Sequence, residues 1–274
     1  MEQRTILITG ANTGIGRSTA AALAAGGARV ILACRSREKT QPVIEEIRRT
    51  TGNEDVEFLA LDLDSLASVR AAAEEFLSRR QPLHILINNA GIAGQRGVTA
   101  DGFEKTFGVN HLGHFVLTTM LLDRMRESAP GRIVTVSSQA HYDAKGIDFS
   151  VLRRPTASVT GLAEYAVSKL ANVLFTQELA RRLRHDGIST YALHPGVIAS
   201  DVWRSVPTPF RQIMKLFMKS TEQGAQTSVY CATAPELGRE SGRYYDGCKE
   251  KPASQYATVD LAASLWTQSE EWTA

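Results

Sequence analysis

Short runs rich in β-branched residues keep alternating along this chain with stretches of helical periodicity, and that alternation limits the folds open to it. The runs are TILITG ending at Gly10, ARVILACR over 28–35, VEFLALDL over 56–63 and LHILINNAG over 83–91. GRIVTVSS over 131–138 and GISTYALHPG over 187–196 follow, with SGRYYDG at 241–247 as a last candidate. Between them, Ser65–Arg79 sets Leu66, Val69, Ala73, Phe76 and Leu77 on one helical stripe. Strands that are apolar on both faces need cover on both faces, which implies a parallel sheet between helical layers. Right-handed crossovers then make the expected architecture α/β, a doubly wound parallel sheet. No internal linker, repeat or low-complexity tract interrupts the 274 residues, so 1–274 reads as a single domain.

Charge excludes some partners. Lys and Arg (31) nearly balance Asp and Glu (29), and the net charge of +2 gives no electrostatic case for nucleic acid. RSREK and ARRLRH read as solvated helix faces. Cys34, Cys231 and Cys248 are far apart and odd in number, which argues against a metal site or a disulfide framework and fits a reducing, cytoplasmic setting. The opening MEQRTILITGA enters a strand at once, leaving no room for a signal peptide or anchor. No apolar run approaches the roughly 20 residues of a membrane span, so a soluble protein without a stable membrane anchor is expected.

In doubly wound sheets ligands sit beyond the carboxyl ends of the strands, and here those ends are chemically unusual. The first carries TGANTGIG, with Gly10, Gly14 and Gly16 spaced G-x-x-x-G-x-G. Such a turn brings backbone N–H groups to a pyrophosphate at a helix N-terminus, which makes Gly10, Asn12, Thr13, Gly14, Ile15 and Gly16 expected dinucleotide contacts. A turn that merely needs positive φ is the alternative. The second strand ends Ala33-Cys34-Arg35, with no acid before Glu38. An acid there would bind a ribose 2′-hydroxyl, whereas an arginine suits a 2′-phosphate. Arg35, assisted by Arg17, therefore favours NADP(H), with NAD the second choice. The third strand ends in Asp62-Leu63, where the acid could accept from an adenine amino group or serve a helix cap. The fourth ends in NNAG, Asn88 to Gly91.

Further on, EYAVSKLANVLF puts Tyr165 and Lys169 four residues apart, on one face of a helix. Alone, the pair is either an ordinary surface pair or a phenol beside a cation.

Taken together, TGANTGIG, NNAG, the asparagine of GVNHLGHF, the serines of VTVSS, YAVSK and HPG resemble the short-chain dehydrogenase/reductase family, in that family's order and over nearly the whole chain. LACR, NHLGHF, SKLANVLF and SGRYY resemble its retinol dehydrogenase branch. The resemblance implies a Rossmann-type fold and an NADP(H)-dependent oxidoreductase that interconverts carbonyl and alcohol. It implies a catalytic set of Asn110, Ser138, Tyr165 and Lys169: Tyr165 as general acid/base, Lys169 binding the nicotinamide ribose and lowering the tyrosine pKa, Ser138 orienting the carbonyl, and Asn110 helping to hold a relay water. Asn89, Ala90, Gly91 and Ile198 are implied nicotinamide-side contacts; Asp62 and Leu63, from their place at the third strand end, are expected adenine-side ones. Ser137 could replace Ser138 if the strand register differs. His111 and His114 read as packed structural residues.

Between Ser138 and Tyr165 lies an inserted segment that either walls a pocket or packs on the surface. Residues 202–220, with Phe210, Ile213, Met214, Phe217 and Met218, suggest a lid over a lipophilic aldehyde or ketone, retinal-like in size, or an ordinary core helix. The competing reading is a non-catalytic NADP(H)-binding sensor or scaffold on the same fold. A hydrolase lacks its G-x-S-x-G elbow. Helices expected at 165–184 and 101–128 could form the two-fold bundle of a homodimer, as in related proteins, or face solvent in a monomer.

Overall fold

A computed structural model describes residues 4–196 and 220–274. Its strands are β1 (Thr5–Thr9), β2 (Arg29–Cys34), β3 (Val56–Ala60), β4 (Ile85–Asn88), β5 (Gly131–Val136), β6 (Ile188–His194), β7 (Arg243–Asp246) and β8 (Lys249–Lys251). They form one sheet in the order β3-β2-β1-β4-β5-β6-β7-β8, parallel except for the antiparallel β7–β8 hairpin. The order reverses between β1 and β4, where a ligand crevice opens in such sheets.

Alternate residues of the strands feed two cores. Ile6, Ile8, Val30 and Leu32 pack with α1 (Gly14–Ala25) and α2 (Arg37–Thr51), joined by Cys231 of α7 (Thr221–Thr233). Leu7, Ile31 and Ala33 face the other way, towards α3 (Leu66–Ser78), α5 (Gly113–Glu127) and α6 (Leu162–Arg182). Burying both faces in apolar contacts is what makes these strands continuously hydrophobic in sequence. Serine caps start α2 and α3: Ser36 accepts from Lys39 N–H and Ser65 from Ser68 N–H.

The expected elements are recovered with altered bounds. β3 stops at Ala60, and Asp62 and Leu63 lie in the turn beyond it. The helix expected over 101–128 is composite. It starts with α4 (Lys105–Phe107), passes through a π-helical turn at Gly108–Leu112 and continues as α5. A C-terminal helix α8 (Val259–Thr273), not anticipated from the sequence, packs on α5 and α6. Trp266 stacks at 17° on Phe175, meets Phe115 edge-on at 5.0 Å, and lies under the Arg182 guanidinium at 4.2 Å. The helix face carrying Phe115 and Phe175 is thus covered within the chain itself. The expected lid residues 202–219 and Ile198 lie outside the described residues; Ser220 N-caps α7 in a capping box with Gln223. Among the described residues no helix is long and apolar enough to cross a membrane, and no cluster of His, Cys, Asp and Glu could hold a metal.

Candidate active site

The glycine turn is welded to the end of β4. Gly10 (φ +64°) leaves so little room that an added Cβ would fall 2.9 Å from Cα and Cβ of Ala90. A Cβ on Gly16 would sit 2.4 Å from the Gly10 carbonyl and 2.5 Å from Asn89 Nδ2. Asn89 donates its side-chain amide to the carbonyls of Thr9 (2.8 Å) and Gly10 (3.3 Å), so that side chain braces the turn. Thr13 is the N-cap residue of α1 and its side chain does not cap the helix, which leaves the first N–H groups beside Gly14 (φ +54°) for an external acceptor. Asn12 and Ile15 are half-buried in this turn and Thr13 is exposed.

At the end of β2, Arg35 is exposed, with no side-chain partner among the described residues. Arg17, expected to assist it, is instead ion-paired with Glu46. Asp62 accepts the Asp64 N–H at 3.1 Å in a local turn, while the α3 cap falls to Ser65. Leu63 turns into the core, where its side chain crowds Gly113.

Four elements bring the remaining residues together. Ser138 follows β5 directly, and Tyr165 and Lys169 occupy successive turns of α6. Asn110 sits on the π-helical turn. Of the two serines, Ser137 is turned inward, donating to the Lys169 carbonyl at 2.7 Å, and Ser138, whose Oγ accepts the Ala140 N–H at 3.2 Å, is the one close enough to Tyr165 to act on its hydroxyl. The Lys169 ammonium lies 5.6 Å from the Tyr165 ring centre and donates to the Val136 carbonyl at 2.9 Å. A Cβ on Gly91 would lie 3.3 Å from Asn110 Oδ1 and 3.4 Å from Lys169 Nζ, so β4's loop, the π turn and α6 converge there. The Asn110 side chain is fully engaged: Oδ1 accepts from Ile92 N–H (2.9 Å), and Nδ2 donates to the Ile92 carbonyl and Ser168 Oγ (both 3.0 Å).

Electrostatics depart from the sequence expectation at one point. Burial raises the Tyr165 hydroxyl above the ordinary phenol value, and the Ser138 hydrogen bond offsets only part of that. The expected lowering by Lys169 does not enter, and the same dry setting brings the ammonium itself down to about 8. Burial keeps His114 and His111 neutral, at about 4 and about 3. Both are structural: His114 bonds Thr9 Oγ1 and the Asn110 carbonyl, and His111 bonds Ser269 amid Phe107, Phe115 and Phe175. Thr9 escaped notice in the sequence because a threonine ending a strand carries no distinguishing pattern.

A glycine platform, an open helix N-terminus and a buried cation next to a phenol fit a nicotinamide dinucleotide, in a sheet whose crevice lies at this switch point. Comparison with known proteins agrees. The profile described as short chain dehydrogenase matches residues 4–151. Human retinol dehydrogenase 11 is 47% identical over 270 residues, 97% of this chain and 84% of that protein. The crystal structure of an uncharacterized protein from Mycobacterium Paratuberculosis superposes with a TM-score of 0.79 at 35% identity, covering 99% of this chain and 94% of the other. That of a 3-ketoacyl-(acyl-carrier-protein) reductase from Brucella melitensis complexed with NADH gives 0.70 at 25% identity, covering 94% and 99%. The chain belongs to the short-chain dehydrogenase family, in its retinol dehydrogenase branch, and is an oxidoreductase of carbonyl and alcohol groups.

Proposed function

We propose that this protein reduces lipophilic aldehydes or ketones with NADPH, and oxidises the corresponding alcohols in reverse, with Tyr165 as the proton-transferring group. The observation that carries the reading is the meeting of Ser138, Tyr165 and Lys169 beside Gly91 at the carboxyl edge of the sheet. When bound, the nicotinamide supplies or takes up the hydride. Tyr165, a protonated phenol at neutral pH, gives its proton to the carbonyl oxygen as negative charge develops there. Ser138 donates a hydrogen bond to the same oxygen. Lys169, charged below about pH 8, favours the resulting phenolate. A sensor or scaffold on this fold would have no use for a lysine buried at such cost next to a phenol.

The preference for NADP(H) over NAD rests on Arg35, without a side-chain partner among the described residues, and on the lack of an acid at the end of β2. The lipophilic substrate class rests on the retinol dehydrogenase relatives and on the apolar composition of 202–219. Free thiols at Cys34, Cys231 and Cys248 support the cytoplasmic placement. A homodimer built on helices 101–128 and 165–184 would have to avoid the face that α8 covers.

The test is loss of NADPH absorbance with long apolar aldehydes and with small hydrophilic carbonyls. Wild type should turn over the apolar set preferentially, and Tyr165→Phe should fall to background. Equal rates for the two proteins would overturn the mechanism, and preference for the hydrophilic set would overturn the substrate class.

A further inference from the structure

His141 lies in the segment between Ser138 and Tyr165, and it is completely buried. Its Nδ1 is 2.7 Å from the Ser138 carbonyl, and its Nε2 is 3.2 Å from the Ser254 backbone nitrogen. A backbone N–H can only donate, so Nε2 must be the acceptor; the ring proton therefore sits on Nδ1 and is donated to Ser138. The His141 backbone N–H donates to the same carbonyl at 3.1 Å. Burial lowers the imidazole's proton affinity, in keeping with this neutral tautomer.

The ring has no freedom to turn. Tyr142 and Tyr244 lie against it, at 3.9 and 4.5 Å between ring centres. The Tyr142 hydroxyl donates to the Pro252 carbonyl at 2.6 Å, a second tie between the 3-10 turn Gln139–Tyr142 and the segment after β8. Ser138 itself is extended (φ −163°, ψ 160°) at the point where β5 gives way to this turn. Strand pairing ends at Val136, so the sheet ladder does not hold its carbonyl. That carbonyl is held by His141.

We propose that His141 is a positioning residue: it fixes the Ser138 main chain between β5 and the 252–254 segment, and so sets where the Ser138 hydroxyl meets Tyr165 and the substrate oxygen. This rests on the role given to Ser138 above. Orientation of this kind shows in turnover, since a misplacement of about 1 Å can cost on the order of a hundredfold in rate.

The experiment is a double-mutant cycle between His141 and Ser138, read as kcat for NADPH-dependent carbonyl reduction, with NADPH affinity measured alongside. His141→Phe should lower kcat by roughly ten- to a hundredfold with little change in KM or cofactor affinity. In a Ser138→Ala background the same change should cost less than about twofold, because the group it positions is gone. His141→Asn, whose amide nitrogen can stand where Nδ1 stands, should restore most of kcat. His141→Gln, which reaches towards Ser254 but not Ser138, should not. Full additivity of the two losses, or undiminished kcat in His141→Phe, overturns the proposal. If His141→Phe does not fold, the Asn and Gln variants in both backgrounds decide the matter by the same criterion. A Ser138→Ala enzyme with undiminished turnover removes the role of Ser138 itself and this inference with it, a failure distinct from additivity.

Discussion

The Thr9 hydroxyl lies 2.8 Å from His114 Nε2, joining the last residue of β1 to the helix that follows the π-helical turn. Thr9 Oγ1 already accepts the N–H groups of Asn89 (3.0 Å) and Ala90 (2.9 Å), so its own proton goes to the histidine. His114 then donates from Nδ1 to the Asn110 carbonyl at 3.0 Å. One buried hydroxyl therefore sets the distance between the glycine turn, the end of β4 and the turn that holds Asn110.

Thr9→Val keeps the shape but leaves the Ala90 N–H and one imidazole nitrogen unpaired in dry surroundings, while the Asn89 N–H keeps the Ile87 carbonyl at 3.0 Å. At about 1–3 kcal/mol for each unsatisfied group, the variant should lose about 2 kcal/mol or more in urea unfolding, with an unchanged m-value. A loss under about 1 kcal/mol would mean the network relaxes around the gap.

Lys169 should destabilise the cofactor-free protein. Folding lowers its pKa from 10.5 to about 8. Below pH 8 the ammonium is charged in both states and its burial costs the full penalty, roughly 3 kcal/mol at about 1.4 kcal/mol per pKa unit. Between pH 8 and 10.5 the unfolded chain still holds a proton that the folded chain has released, so stability rises with pH. Lys169→Met should accordingly unfold at a higher temperature than wild type at pH 7, with the gap closing through that window, while reductase activity disappears. Asn172 still donates to the Val136 carbonyl, so no acceptor is orphaned. A pH-independent difference in melting temperature would contradict the assignment.

Two glycines separate crowding from backbone strain. Gly52 ends α2 at φ +70° with open space around it, so Gly52→Ala should cost only about 1 kcal/mol, the price of a left-handed alanine. Gly16 has an ordinary φ but backbone 2.4 Å from any Cβ. Gly16→Ala should push the turn off Asn89, cost several-fold more, about 3 kcal/mol, and abolish dinucleotide binding in a fluorescence titration. Equal stability losses at the two sites would show that the turn yields.

Arg35→Ala should raise the KM for NADPH ten- to a hundredfold while leaving that for NADH within about twofold, since a charge-assisted hydrogen bond contributes about 1.5–3 kcal/mol. Steady-state kinetics with both cofactors checks this. A parallel rise in both values would assign Arg35 a structural role.

How much of this was legible beforehand depended on whether a residue's task left a local pattern. β1, β2 and β4 announced themselves through β-branched runs closed by Gly10, Arg35 and Gly91. Helical spacing put Tyr165 and Lys169 side by side but left their role open, which the family resemblance supplied together with Ser138; the bond of Ser137 to the Lys169 carbonyl turns that alternative serine inward. β8, the tripeptide Lys-Glu-Lys, has no apolar member to mark it as a strand. The π-helical turn at 108–112 changes hydrogen-bond register without changing composition, so a continuous helix was the natural expectation. The raised Tyr165 pKa was missed because sequence gives the proximity of a lysine but not the dryness around both groups. His141 was passed over because its partners, Ser138 and Ser254, are met only through main-chain atoms of distant segments.

The β7–β8 hairpin has a consequence for how molecules of this protein behave towards each other. A sheet edge is a template on which a second chain can add a strand. Here that rim is a three-residue, exposed segment bearing alternating charge, Lys249, Glu250 and Lys251, and Glu250 is bridged to Arg243 at 3.1 Å. An incoming strand would find too short a ladder and would have to strip water from three ionic groups, so at this border of the sheet self-association through main-chain pairing is discouraged.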